Sequence, residues 1–322
     1  MNDMVETRPF GNTGMNITAI GFGAWAIGGG DWEFAWGAQD DKESIDAIKK
    51  GIDLGINWID TAAVYGLGHS EEVVGKAIKS MSQRPYIFSK CSMCWDSERK
   101  IYHSLKAASV REEIENSLRR LDIEALDLYQ IHWPNPEEEI EEGWSTLAEL
   151  KKEGKVRHIG VSNFNVEQLK RAEKIAPVET HQPPYSIVEA TYDKEILPYN
   201  KQQNTGVIVY SPMYSGLLTG KMTAERVAQM PADDWRRTDP EFQGARLQRN
   251  LQLADLLSEI GNGHNVSAGV VAIAWTLHNP AVSAAIVGAR SASQIEQTSA
   301  ALSFRLTQGE YERIQQFVAQ HP

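Results

Sequence analysis

Short apolar runs alternate along this chain with longer segments in which apolar residues recur every three to four positions. The runs 19–23, 57–61, 86–89, 126–132, 156–161, 179–182, 206–211 and 284–287 are brief, rich in Ile, Val and Tyr, and bounded by turn residues. That is the pattern of strands buried in a sheet. Amphipathic helical spacing fills the intervals near 42–54, 70–80, 110–121, 140–153, 165–175, 193–203, 267–279 and 293–301. Ser70 followed by Glu71 and Glu72 predicts a helix start, with acids in the first turn, and Asn279-Pro280 predicts a stop. Eight strands, each followed by a helix, make a closed (β/α)₈ TIM barrel, an α/β fold that spans 1–322 as one domain. The opening R-P-F-G-N-T-G-M-N-I-T carries turn signals between short extended pieces, predicting a β-hairpin that closes the barrel floor. An extra C-terminal helix, 307–319, packs outside. The stretch 221–245, rich in Pro, Asp, Arg and Gln, is the longest irregular segment, and loops of that length serve as lids or stay disordered.

The chain has 322 residues, of which 42% are hydrophobic and 23% charged, enough to fill one large core. A formal net charge of −11 argues against a nucleic-acid partner, which requires a basic face. No signal segment and no apolar run near 18 residues is present, so the expected location is the cytoplasm. The two cysteines, Cys91 and Cys94, lie in K-C-S-M-C-W without a second ligand pair, and read as incidental thiols in a loop beside the active site. The run G-F-G-A-W-A at 21–26 matches a loose dinucleotide fingerprint, but W-A-I-G-G-G-D-W after it is a poor helix start. Its glycines fit better as a strand passing close beneath a ligand.

Asp60, Lys90 and His132 close successive predicted strands, and Tyr65 follows Asp60 in the adjoining loop. In such a barrel these ends converge on one face. A free tyrosine ionises near pH ~10, so it transfers protons at neutrality only when its surroundings assist. An ammonium favours the phenolate, a carboxylate holds the ammonium, and a histidine can hydrogen-bond the reacting oxygen. Each residue alone has an ordinary structural explanation, but all four at neighbouring strand ends point to proton transfer at a carbonyl or alcohol oxygen. No metal is implied, because no paired-ligand spacing occurs among the eight histidines.

With N-W-I-D-T-A-A-V-Y-G-L-G-H-S-E-E-V-V-G-K-A (57–77), D-L-Y-Q-I-H-W-P (127–134), G-K-V-R-H-I-G-V-S-N-F (154–164), Y-S-P-M-Y-S-G-L-L-T-G-K (210–221) and G-A-R-S-A-S-Q-I (288–295), the sequence resembles the aldo-keto reductase superfamily over nearly its whole length. The branch it most resembles holds bacterial general-stress and sugar-aldehyde reductases, and is related to potassium-channel β-subunits. The resemblance implies Tyr65 as general acid in reduction, Lys90 with Asp60 lowering its pKa, and His132 orienting the carbonyl. It implies that Ser162, Asn163 and Gln182 hold a nicotinamide carboxamide and Tyr210 stacks on the ring. Trp25 and the loop Ser211, Pro212, Met213, Ser215, Gly216, Leu217 and Lys221 would serve the rest of the cofactor, with pyrophosphate on the loop. Gly288, Arg290, Ser291, Gln294, Gln297 and Thr298 would meet the adenosine end. Arg290 suits a 2′-phosphate, so NADPH is expected, with NADH as the alternative. Trp25, Trp32, Trp36, Trp95 and Trp133 are candidate walls for a small, sugar-like carbonyl. The implied activity is NADPH-dependent reduction of small aldehydes and ketones. Its rivals are a sugar or polyol dehydrogenase running the oxidative direction and a nucleotide-sensing subunit; the oligomeric state stays open.

Overall fold

The computed structural model describes residues 5–231 and 234–321, so residues 232 and 233 of the expected lid lie outside the described residues. A hairpin of β1 (Thr7–Pro9) and β2 (Asn16–Thr18) comes first. The chain then alternates β3 (Ile20–Gly23), α1 (Asp41–Asp53), β4 (Trp58–Asp60), α2 (His69–Ile78) and β5 (Tyr86–Cys91). A second hairpin, β6 (Met93–Trp95) and β7 (Ile101–His103), precedes α3 (Ala107–Leu121). There follow β8 (Leu126–Ile131), α4 (Ile140–Lys152), β9 (Val156–Ser162), α5 (Val166–Glu173), β10 (Thr180–Gln182), α6 (Ile196–Gln203) and β11 (Gly206–Val209). The end of the chain holds α7 (Ala224–Ala228), α8 (Gly244–Asn262), α9 (Ala268–His278), β12 (Ala284–Gly288), α10 (Ala292–Thr298) and α11 (Gln308–Gln320). Strands β3, β4, β5, β8, β9, β10, β11 and β12 pair in parallel, in that order, into a closed barrel, as the sequence predicts.

The barrel is filled rather than hollow. Trp58, Phe88, Leu128, Ile208 and Ala284 point inward, and Phe10, Met15 and Ile17 of the first hairpin plug the floor beneath them. Phe88 stacks on Trp58 with centroids 5.3 Å apart and on Phe10 at 5.9 Å. Each buried Phe, Leu, Ile or Met side chain of this set contributes about 1.5–3 kcal/mol. Gly21 belongs to this plug: a Cβ there would come within 2.2 Å of the Trp58 ring. Gly21 thus makes room for an indole, which corrects the sequence expectation for that glycine, whereas Gly23 lines the cavity.

Outside the barrel, Val73, Ala77, Ile114, Leu118, Trp144, Leu147 and Leu169 pack the helices onto the sheet. Helix starts follow local chemistry. Asp40, Ser267 and Ser291 cap α1, α9 and α10, and Asn165 and Thr307 form reciprocal capping boxes with Gln168 and Glu310. Helix α2 carries Glu71 and Glu72 in its first turn, as expected, but its start is built differently. It begins at His69 after Gly68 in left-handed conformation, and the Ser70 hydroxyl instead donates to the Ala24 carbonyl at 2.8 Å. The 221–245 segment is not irregular throughout, since α7 and two 3-10 turns fold over a small core of Leu217, Met222, Val227, Met230, Phe242 and Leu247. Among the described residues no helix is long and apolar enough to cross a membrane.

Candidate active site

The strand ends deliver the predicted group to one place. Asp60, the last residue of β4, is 2% exposed, and Lys90 near the end of β5 is 1% exposed. Lys90 Nζ donates to Asp60 Oδ1 at 2.6 Å, to the Thr61 carbonyl at 2.9 Å and to the Tyr65 hydroxyl at 3.3 Å. Asp60 Oδ2 accepts from Gln182 Nε2 at 2.8 Å. Tyr65 sits in a tight turn behind which Gly66, in left-handed conformation, meets Gly28 so closely that a Cβ would lie 2.0 Å from the Gly28 carbonyl oxygen. The His132 ring stands edge-on to Tyr65 at 5.6 Å.

Burial governs the charges. It pushes Asp60 up and Lys90 down from their ordinary values, while their mutual attraction opposes both shifts. It also pushes Tyr65 well above the usual phenol range, with the Asp60 charge adding to the rise. The expected depression of Tyr65 is therefore not what the site produces: the ammonium at 3.3 Å does not outweigh desolvation and the carboxylate. Burial, with Lys90 and His103 nearby, holds His132 well below its ordinary value, so its imidazole is neutral. The site thus presents a protonated phenol and a neutral imidazole to the same space. That arrangement can bind an oxygen, protonate it, and receive the resulting phenolate charge beside an ammonium.

This group opens into a cavity of about 980 Å³, at the upper end of the ~300–1,000 Å³ of ligand sites. Ser162 ends β9, Gln182 ends β10 and Tyr210 follows β11. Ser162 Oγ donates to the Gln182 carbonyl at 2.7 Å, Asn163 Nδ2 to the His132 carbonyl at 2.9 Å, and the Tyr210 hydroxyl to Asn163 Oδ1 at 2.8 Å. This web fixes the Tyr210 ring and ties it to the His132 backbone. Asn163, Ser211 and Ser215 all have left-handed backbone at the cavity wall, at a cost of order 1 kcal/mol each.

Trp25, Ser211, Pro212, Met213, Ser215, Gly216, Lys221, Gly288, Arg290, Gln294, Gln297 and Thr298 all line the cavity. Leu217 and Ser291 do not. Leu217 is wholly buried in the lid core, with its N–H donated to the Tyr214 carbonyl at 3.0 Å. Ser291 is spent on capping α10. Trp95 also falls outside, under the Arg120 guanidinium 5.7 Å away. Cys91 and Cys94 lie in strands, not a loop; both are buried, with Cys94 pushed up to about 12. Arg290 reaches the cavity, but its Nε donates to Gln39 Oε1 at 2.6 Å and its Nη1 to the Trp36 carbonyl at 3.1 Å, while Nη2 bonds the Ala38 carbonyl. Part of its hydrogen-bonding capacity therefore holds the loop after β3. Among the lining residues absent from the sequence expectations are Arg226 and Arg236 in the lid segment and His103 on β7.

The cavity's charge is the test of what it can hold. Its charged lining consists of Asp60, at the relay end, against Lys221, Arg226, Arg236 and Arg290, in a protein of formal net charge −11. Concentrated cations in an acidic protein suit phosphate groups. Lys221 Nζ rests on Gln297 Oε1 at 2.7 Å, and Arg236 is paired with Asp234 at 2.6 Å and lies over the Trp36 ring. The residues present fit a nicotinamide dinucleotide.

Comparison with known proteins agrees with that fit. The family model described as "Aldo/keto reductase family" matches residues 19–319. The chain belongs to the aldo-keto reductase family. These oxidoreductases act on carbonyl and alcohol groups with NADPH or NADH. The chain is similar to the aldo-keto reductase YhdN of Bacillus subtilis, 40% identical over 92% of this chain and 88% of that one. It is 31% identical to the NADH-specific methylglyoxal reductase of Escherichia coli, over 93% of this chain and 94% of that one. Among solved structures it is similar to a glycerol dehydrogenase from Gluconobacter oxydans, at 36% identity and a TM-score of 0.90 over 98% and 96% of the two chains. In this aldo-keto reductase the ion-paired lysine, the tyrosine and the histidine stand together at neighbouring strand ends.

Proposed function

We propose that this protein reduces small aldehydes bearing an oxygen next to the carbonyl, sugar-like aldehydes among them, with NADPH preferred and NADH accepted. The observation that carries the reading is the buried Asp60–Lys90–Tyr65 relay facing His132 at the mouth of a cation-lined cavity. Two relatives support the substrate class, since methylglyoxal and glycerol both carry oxygen on the carbon beside the reacting one. In the same reading the 322 residues act as one barrel domain in the cytoplasm.

Ser162, Asn163 and Gln182 would hold the carboxamide of the nicotinamide and Tyr210 its ring face, with Lys221, Arg226 and Arg236 toward pyrophosphate and Arg290 toward the adenosine end. When bound, the reduced cofactor supplies a hydride to the carbonyl carbon. His132, neutral through burial, donates a hydrogen bond to the carbonyl oxygen and so sets its direction. Tyr65 gives its proton to that oxygen. Its raised pKa keeps the proton in place until negative charge develops on the acceptor, and Lys90 at 3.3 Å then stabilises the phenolate. Asp60 keeps Lys90 charged and aimed. Proton transfer in reverse serves alcohol oxidation, and the likeness to a glycerol dehydrogenase favours that direction as the second reading.

The test is steady-state oxidation of NADPH and of NADH with lactaldehyde as acceptor. The reading expects turnover with both cofactors and a lower KM for NADPH. Absence of turnover in either direction, with cofactor still bound, would instead favour a nucleotide-sensing role.

A further inference from the structure

On the side of the cavity away from the cation-lined wall, the surfaces come from the loops after β3, β4 and β8 and from the β6–β7 hairpin. Trp32, Val64, Met93 and Trp133 give that side an apolar character. Beyond the relay, its polar side chains are His103 and Asn135. His103 ends β7 directly opposite Met93 in the antiparallel register, so the hairpin delivers both side chains to the cavity together.

Two features separate His103 from an ordinary half-buried histidine. Its Nδ1 is closed off from solvent and has no hydrogen-bond partner among the described residues. An unmade bond of this kind is costly, and it is kept where something else requires the side chain. With Nδ1 closed off and the other ring nitrogen unbonded among the described residues, Nε2 is left to meet a ligand. The ring also lines the same cavity as His132 and Tyr65. Burial in turn lowers the His103 pKa, partly offset by Glu33, so the ring is neutral and can bond a hydroxyl or a carbonyl oxygen.

We infer that His103 is a specificity-determining residue, which hydrogen-bonds the oxygen on the carbon adjacent to the reacting carbonyl and so selects α-hydroxy- and α-oxo-aldehydes over simple ones. The inference rests on the reduction reading above and names the residue that sets its substrate class. The apolar walls hold the carbon chain, and His103 supplies the polar contact next to the one His132 and Tyr65 make.

Lactaldehyde and propionaldehyde differ only in the hydroxyl beside the carbonyl. The ratio of their kcat/KM values is measured for the wild type, His103→Phe and His103→Gln, with His103→Leu as a second loss variant should phenylalanine not be accommodated. The expected result is a wild-type preference for lactaldehyde of about tenfold or more, the worth of one well-placed hydrogen bond. His103→Phe or His103→Leu brings the ratio close to unity, and His103→Gln restores most of it. A wild-type ratio near unity, or a ratio that survives the loss variants, overturns the assignment while turnover itself leaves the reduction reading standing. Turnover of neither aldehyde by the wild type overturns both.

Discussion

Lys90→Met removes the ammonium at the centre of the relay while keeping a side chain of similar length in its place. The Asp60 carboxylate, with its side chain 3% exposed, then loses a partner at 2.6 Å and keeps only Gln182 Nε2 at 2.8 Å. The Thr61 carbonyl also loses its 2.9 Å donor. Breaking a buried ion pair from one side costs about 3–5 kcal/mol, because it leaves an uncompensated charge, whereas replacing both partners with neutral groups is often close to neutral. The variants Lys90→Met, Asp60→Asn and the double substitution therefore form a cycle. Urea denaturation should show Lys90→Met destabilised by about 3–5 kcal/mol and the double variant regaining about 2 kcal/mol or more of that loss. Turnover should not recover with stability, since the double variant still lacks the cation that receives the phenolate charge. Both Lys90 variants should lose roughly 10²–10⁴ in kcat. A Lys90→Met cost below about 1 kcal/mol, or strictly additive stabilities, would refute the claim that the pair is dry and mutually dependent.

Arg290→Ala should raise Kd for NADPH on the order of tenfold and raise that for NADH less, read by tryptophan fluorescence quenching. Equal losses would place the 2′-phosphate away from Arg290 and leave its role as the tie to Trp36, Ala38 and Gln39. Glu113 is 8% exposed, accepts from the Ser92 N–H at 3.1 and 3.2 Å, and is pushed up by burial to about 8 from an ordinary 4.5. A carboxyl whose folded pKa is raised stabilises the fold fully below its unfolded pKa, and that contribution is lost as pH rises through the folded value. Stability should thus decline between about pH 4.5 and 8, by on the order of 4 kcal/mol from this group, and Glu113→Gln should flatten that decline. An unchanged pH profile in the variant would show that Glu113 is already ionised in the fold.

The barrel was legible because each of its strands buries a short apolar run and each helix carries one apolar stripe. The acid–base group was legible because its members stand at strand ends, where topology alone brings them together. Other parts had no such signal. The β6–β7 hairpin is made of three-residue strands, M-C-W and I-Y-H, too short for alternation to show. Helix α8 hides its periodicity, because its buried face includes Asn250 and Gly261 among the leucines. Arg290 reads as a free phosphate ligand in sequence, and only the fold brings Gln39, from another strand's loop, onto its guanidinium. The direction of the Tyr65 shift depends on how much water the site excludes, which no spacing encodes.

The most direct test of the central claim is Tyr65→Phe, which removes one hydroxyl and leaves the ring packed between Trp32 and His132. NADPH affinity is read by fluorescence quenching and lactaldehyde reduction by cofactor oxidation. Kd for NADPH should stay within about twofold of wild type while kcat falls by roughly 10²–10⁴. Turnover close to wild type in Tyr65→Phe would contradict the central claim, since the proton would then reach the carbonyl oxygen from another group.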